Sequence, residues 1–165
     1  MGAVSGKPVR LNVGGGDKHW PGWVNCDKFG TPDVQTDCTR LPFEADYADE
    51  IQSIHFVEHV ARMDVTNMLL DWHRVLKPGG KLVIEVPCLD KIAKNVVDKE
   101  RNLRLTVLGI FGDPRDPKPG MMHQWCYTED ELREVVMECG FKSVEVKEPV
   151  FHIAKRDMRL EAVKP

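Results

Sequence analysis

Residues 9–27 read VRLNVGGGDKHWPGWVNCD, and this stretch decides the fold. VRLNV is a short apolar run of β type that ends in Gly14-Gly15-Gly16, the pattern of a buried strand entering a glycine turn. Trp23 to Asp27 is a second short strand that stops at an acid. Between them Pro21-Gly22 breaks any helix that would start behind the glycines. A strand, a turn open enough for a ligand to approach the backbone, and a second strand closing on a carboxylate form the opening of a nucleotide-type α/β fold.

Working outward, residues 34–37 (VQTD) give a third strand with the same acidic ending, and residues 50–55 (EIQSIH) a fourth that ends at His55. Residues 64–76 carry Val65, Met68, Leu69, Trp72, Val75 and Leu76 at helical spacing, with Asp64 placed to cap the start and Lys77-Pro78-Gly79-Gly80 to stop it. Trp72 lies on the apolar face and is expected in the core. Residues 81–87 (KLVIEVP) supply a fifth strand, and the strand, helix, strand order implies parallel pairing. Thr128 to Glu131 reads as a capping box, followed by Leu132, Val135, Val136 and Cys139 on one face and Gly140 as terminator. Two strands are expected to close the chain, at residues 141–146 and 158–163. Residues 89–127 are weakly patterned. Within them residues 113–120 hold three prolines and a glycine, which excludes regular structure and marks the segment as a lid over the cleft.

The 165 residues suffice for one domain of ordinary size, and a net charge of −3 without a long basic run argues against nucleic acid as partner. The N-terminus lacks the apolar core of a signal peptide, Gly6 stands where an acylation signal wants Ser or Thr, and no run is long enough to span a bilayer. A cytoplasmic protein without a membrane partner is expected. Cys26, Cys38, Cys88, Cys126 and Cys139 are scattered, odd in number and without a CxxC pair, so free, packed thiols and no metal are expected.

In parallel α/β sheets ligands sit beyond the carboxyl ends of the strands. The candidate residues are therefore Gly14, Gly15 and Gly16, Asp27, Asp37, Cys38, His55, and Pro87 with Cys88. Asp27 suits the ribose hydroxyls, or else caps a turn. Dinucleotides fit poorly, because the closing glycine of GxGxxG is missing and no helix N-terminus follows to receive a pyrophosphate. Glu58 with His59 could be an acid/base pair at the cleft or a first-turn acid. His123, Trp125 and Tyr127 could cap an acceptor pocket or anchor the loop before the last helix. His19 and Trp20 follow the glycine turn closely enough to cover one end of the ligand.

The ordered run LNVGGG, PGWVNCD, DCTRLPF, DEIQSIHFVEH and HRVLKPGGKLVIEVP resembles the class I S-adenosylmethionine (SAM)-dependent methyltransferases, in particular the compact type-11-like group. HQWCYTEDELREVVMECGF is similar to the family's last helix. The resemblance implies a Rossmann-like α/β fold with a mostly parallel seven-stranded sheet of order 3-2-1-4-5-7-6, the last strand antiparallel, flanked by helices. It implies SAM as cofactor, whose lack of phosphate suits this glycine turn. By the same resemblance Asn12 and the glycines line the methionine and ribose end, Asp27 takes the ribose hydroxyls, and Asp37, Cys38 and Leu41 lie against the adenine. His55 stands where the methyl group meets the acceptor. Asn12 replaces the commoner acid of the first motif, and Lys18 a further glycine. His55, His59 and His123 are the candidate catalytic residues, with an imidazole as general base near neutrality. A small-molecule or saccharide acceptor is expected, with a macromolecular acceptor or a non-catalytic binder as the rival readings.

Overall fold

The computed structural model describes residues 6–99, 103–116 and 120–165. The first five residues, part of the N-terminal segment read above, and Pro117, Lys118 and Pro119 of the proline-rich stretch lie outside the described residues.

β1 (Arg10–Val13), β2 (Val24–Asp27), β3 (Val34–Gln35), β4 (Ala48–Ile54), β5 (Leu76–Pro87), β6 (Lys142–Lys147) and β7 (Asp157–Val163) form one seven-stranded sheet of order β3-β2-β1-β4-β5-β7-β6. β1 pairs in parallel with β2 and β4, β2 with β3, and β4 with β5, whereas β7 is antiparallel to both its neighbours. This is the order and the single reversed strand expected from the resemblance. Burial follows position in the sheet. From Leu82 to Pro87 every residue of central β5 is buried, while edge strand β6 alternates exposed Lys142, Glu145 and Lys147 with half-buried Val144 and Val146, charges that discourage pairing with another chain.

No helix lies between β1 and β4, because Pro21-Gly22 and the short loops leave no room for one. The first helix is α1 (Arg62–Val75), which presents Val65, Met68, Leu69, Trp72 and Val75 to the core. The Trp72 indole also donates to the Cys38 carbonyl at 2.9 Å. The helix starts two residues earlier than its periodicity indicates. Ala61 is the N-cap, and Asp64 makes no side-chain cap, sitting instead inside the first turn, where a carboxylate still complements the helix dipole.

Residues 89–127 are not one long loop. They form α2 (Leu89–Val97) and α3 (Leu103–Phe111), and irregular chain begins only at Gly112. Periodicity failed to reveal them because each is nine residues long, and α2 buries Asn95 beside Ile92 while leaving Val96 and Val97 exposed. Gly109 lets the two helices meet, since a Cβ there would lie 2.8 Å from the Ile92 Cδ1.

α4 (Glu129–Glu138) has the expected N-cap, with Glu131 N–H donating to Thr128 Oγ1 at 3.1 Å. The reciprocal half of the capping box is diverted. The Glu131 carboxylate receives Arg62 Nε at 2.8 Å and the Trp125 indole at 3.0 Å, tying α4 to α1 and to the returning loop. Gly140 ends the helix region at φ +95°.

Candidate active site

A cavity of about 810 Å³ opens beyond the carboxyl ends of β1, β2 and β4, where the parallel-sheet rule places it. One wall carries Gly14, Gly15, Gly16, Asp27, Asp37 and Cys38. The opposite wall carries His55, His59, His123 and His152.

The glycine wall is shaped by sterics. Gly14 has φ +75°, and a Cβ on it would sit 2.1 Å from the Phe56 ring, so this position accepts glycine alone. Gly16, at φ +57°, donates its N–H to Asp27 Oδ2 at 2.7 Å, while the other Asp27 oxygen receives Phe29 N–H at 2.8 Å. Each carboxylate oxygen keeps a further lone pair for a ribose hydroxyl. Asp37 is held in the same manner by Thr39, whose N–H and hydroxyl keep its carboxyl below the usual range. The Cys38 thiol lines the cavity, but burial pushes it up to about 12, so it is apolar lining and not a nucleophile.

Two expected cofactor contacts fall elsewhere. Leu41 is buried in the core beneath this wall and does not line the cavity; its N–H is engaged by Asp71 at 2.7 Å and its carbonyl by Arg74 at 3.2 Å. Asn12 is buried against Asn25, to whose Oδ1 its amide donates at 2.8 Å. Asn25 in turn is fastened to Asp33 and lies 3.3 Å from the His19 ring. Asn12 lines a smaller neighbouring cavity of about 250 Å³, together with Gly15, Lys18, Trp20, Ile54, Phe151 and His152. Trp20 closes it through an edge-to-face contact with Phe151 at 4.6 Å.

The histidine wall is electrostatic. His55 adopts φ +55°, a left-handed conformation costing of order 1–3 kcal/mol for a residue with a side chain. This turns its ring between two buried acids. Nδ1 lies 2.8 Å from Glu58 Oε1 and Nε2 3.5 Å from Asp157 Oδ2, while the His152 ring packs on it at 4.0 Å. Burial opposes its charge, but Asp157 and Glu58 prevail and raise His55 to about 9. It is therefore an imidazolium at neutral pH, which removes His55 as the general base expected from the sequence. Glu58 is fully buried. Burial disfavours its charge, yet His55, with His59 and His123 behind it, holds its carboxyl below the usual range. Asp157, equally buried, is held at about 2 by His55 and by Arg156 against the cost of burial.

His59 and His123 pack edge to face, with ring centroids 4.7 Å apart. Burial lowers His123, which stays neutral, and burial together with the charges of His55 and Lys18 lowers His152. The alternatives left open by the sequence divide between the three aromatic residues of the return. His123 lines the cavity, Trp125 anchors on Glu131, and Tyr127 is core.

His152 and Asp157 were missed from the sequence, since they lie in a turn-rich stretch far from any motif. One signal was available: Glu85 is an acid inside the apolar run KLVIEVP. It is buried, pairs with Arg159 at 2.9 Å, and accepts Val150 and Phe151 N–H at 2.8 and 3.1 Å, which fixes the loop carrying His152.

The sheet order, with a cavity beyond the carboxyl ends of the parallel strands, defines a Rossmann-like α/β fold. The "Methyltransferase domain" family model, of type 11, matches residues 21–84. No curated protein matches the chain. Solved structures share the fold. A SAM-dependent methyltransferase from Methanosarcina mazei superposes with TM-score 0.64 at 17% identity, covering 98% of this chain and 94% of that one. The Burkholderia thailandensis 1,6-didemethyltoxoflavin-N1-methyltransferase, with bound 1,6-didemethyltoxoflavin and S-adenosylhomocysteine, gives 0.64 at 16% identity, covering 95% and 71%. A chain from the complex of the Haloferax volcanii Trm112 methyltransferase activator with a candidate methyltransferase gives 0.63 at 17% identity, covering 99% and 85%. The chain shares the fold of SAM-dependent methyltransferases, and its residues 21–84 match the methyltransferase-domain family model. Its residues fit the cofactor: Gly16 leaves open space where a Cβ would stand, and Asp27 offers carboxylate lone pairs beside it.

Proposed function

We propose that the chain methylates a small-molecule or saccharide acceptor held between the glycine wall and the histidine wall. The observation that carries this reading is the shared cavity of about 810 Å³, within the roughly 300–1,000 Å³ typical of small-ligand sites, with one wall suited to the cofactor and the other to proton chemistry. With SAM on the glycine side, the remaining volume suits a compact acceptor. SAM supplies a methyl carbon already activated by its sulfonium, so that the acceptor–carbon bond forms as the carbon–sulfur bond breaks and the sulfur keeps the electron pair.

The task left to the chain is alignment, which for well-oriented groups is worth roughly 7–11 kcal/mol. Asp27 and Asp37 orient the cofactor end, and Lys18, facing both cavities, reaches the methionine end. The imidazolium of His55 is fixed, whereas His123 and His152 are kept neutral and can take the acceptor's proton. Asp113, Gly120, Met121 and His123 all line the cavity, which supports a role for the loop after α3 on the acceptor side.

The test is a mass-spectrometric search for a methylated product in small-molecule extracts supplied with methyl-labelled SAM. A labelled small molecule is expected. Label found solely in protein or RNA would overturn the acceptor class, and no label at all would overturn the enzymatic reading.

A further inference from the structure

We propose that Glu58, His59 and His123 form a binding site for a divalent transition cation, Zn²⁺ by preference, on the acceptor side of the cavity. The site stands on its own geometry; its use in the reaction rests on the acceptor reading above. One ligand atom from each of the three residues lies within 4.8 Å of the other two. Tetrahedral ligands about 2.0–2.2 Å from a zinc ion stand roughly 3.4 Å apart, a closure that rotation of two half-buried imidazoles supplies.

Two features separate this cluster from ordinary ring packing. Glu58 is fully buried, and neither of its oxygens has an aligned hydrogen-bond donor. Its close neighbour is His55 Nδ1, which approaches Oε1 at ion-pair distance and leaves Oε2 without a donor. The two imidazoles are also oriented as metal ligands are. His59 Nδ1 lies 3.3 Å from the Met122 carbonyl and His123 Nδ1 3.1 Å from the Gly109 carbonyl. A carbonyl can only accept, so Nδ1 of each ring carries a proton and Nε2 is the nitrogen left to face a cation, the arrangement in which backbone carbonyls orient a liganding histidine.

The neighbouring trio of His55, His152 and Asp157 has similar spacing but a different state. Asp157 is already neutralised by Arg156 at 2.6 Å and accepts Ile153 N–H at 3.0 Å, so a cation there would have to displace an arginine. Two imidazoles and one carboxylate with a position left open is the ligand set of a catalytic zinc site. A cation on Glu58, His59 and His123 gives an acceptor hydroxyl a fixed place and lowers its pKa. The hydroxyl proton passes to His152, the neutral imidazole outside the ligand set, and the oxygen bonds to the methyl carbon as the carbon–sulfur bond breaks.

The experiment strips the full chain with a chelator, titrates it with Zn²⁺ alone by calorimetry, and counts bound metal by mass spectrometry. One ion per chain is expected. Affinity should fall more than about tenfold in His59→Gln and in Glu58→Gln, and stay unchanged in His152→Ala. Circular dichroism checks that Glu58→Gln is folded, and the half-buried His59→Gln keeps the test decisive if it is not. No stoichiometric binding to the parent chain, binding that survives His59→Gln, or binding lost in His152→Ala overturns the site. SAM affinity measured on the same samples separates the two claims: zinc absent with SAM bound refutes only the cation site, and SAM unbound refutes the methyltransferase reading.

Discussion

The two walls of the cavity hold their acids in opposite ways. On the glycine wall, Asp27 and Asp37 are partly or fully open to solvent and are satisfied by neutral donors close in sequence: Gly16 and Phe29 for one, Thr39 for the other. On the histidine wall, Glu58, Asp157 and Glu85 are fully buried and each is paired with a charge, from His55, Arg156 and Arg159, with backbone N–H groups added only at Asp157 and Glu85. The first wall is a set of turns that would form around its acids wherever the strands ended. The second exists only when distant segments bring their charges together, so stability and site are inseparable there.

That contrast is broken or sharpened most strongly at Glu58. Removing one partner of a buried ion pair costs about 3–5 kcal/mol because it strands the other charge, and Asp157 beside His55 puts Glu58→Ala near the lower end, about 3 kcal/mol. Urea denaturation measures it, and a loss under about 1 kcal/mol would show the histidine wall to be no more coupled than the glycine wall. The same pair sets a pH signature. The folded His55 value lies above the ordinary 6.5, at about 9, so its contribution is complete below pH 6.5 and is lost as pH rises through about 9. The stability difference between the parent chain and His55→Gln should therefore shrink across that window. A difference that grows with pH would refute the imidazolium assignment.

On the glycine wall the expected effect moves from folding to binding. Asp27→Ala removes an acceptor placed for the ribose hydroxyls, a charged hydrogen bond worth about 1.5–3 kcal/mol, or roughly ten- to a hundredfold in affinity for SAM and for its demethylated product. Stability should change less than in Glu58→Ala, since Gly16 and Phe29 N–H can turn to water. Calorimetric affinity equal to that of the parent chain would exclude Asp27 from the cofactor site.

The same contrast explains what the sequence made legible. Strand runs ending in glycine or acid are local signals, so β1, β2, β4, β5 and the glycine turn are legible in the sequence, whereas the sheet order follows only from the family resemblance. Asn12 and Leu41 stand beside the motifs but do not line the large cavity: Asn12 is bonded to Asn25 and faces the smaller cavity, and Leu41 packs in the core. The histidine wall is non-local. His55 and Glu58 sit at the end of β4, His123 in the loop before α4, and His152 and Asp157 at the turn into β7, which the reversed pairing of β7 with β5 brings alongside, Pro87 opposite Asp157. No spacing rule links those positions. The short helices α2 and α3 are harder to read because each is only nine residues long: α2 spaces Leu89, Ile92, Ala93, Val96 and Val97 as a helix would but leaves the last three exposed, and the two helices meet through Gly109.

The smallest expected effect lies in the loop after α3, where a change should touch one wall and spare the other. His123 N–H donates to the Phe111 carbonyl at 3.1 Å and Gln124 N–H to the Glu58 carbonyl at 2.7 Å, so the return of the loop is pinned to the histidine wall. Among the described residues nearer its tip, Asp113 is paired with Arg115, an exposed contact within the loop that contributes little to folding. Asp113 and Gly120 nonetheless line the cavity. Replacing residues 113–120 with a short glycine-serine link should leave SAM affinity within a few-fold of the parent chain, because the candidate cofactor residues lie in the turns that follow β1, β2 and β3. Turnover should fall or acceptor preference shift, because on the proposed reading Asp113 and Gly120 line the acceptor side of the cavity. Calorimetry with SAM and a competition assay between two acceptors read the two effects separately. Loss of SAM binding in a folded replacement would move the loop to the cofactor side and end the division of the cavity into two walls.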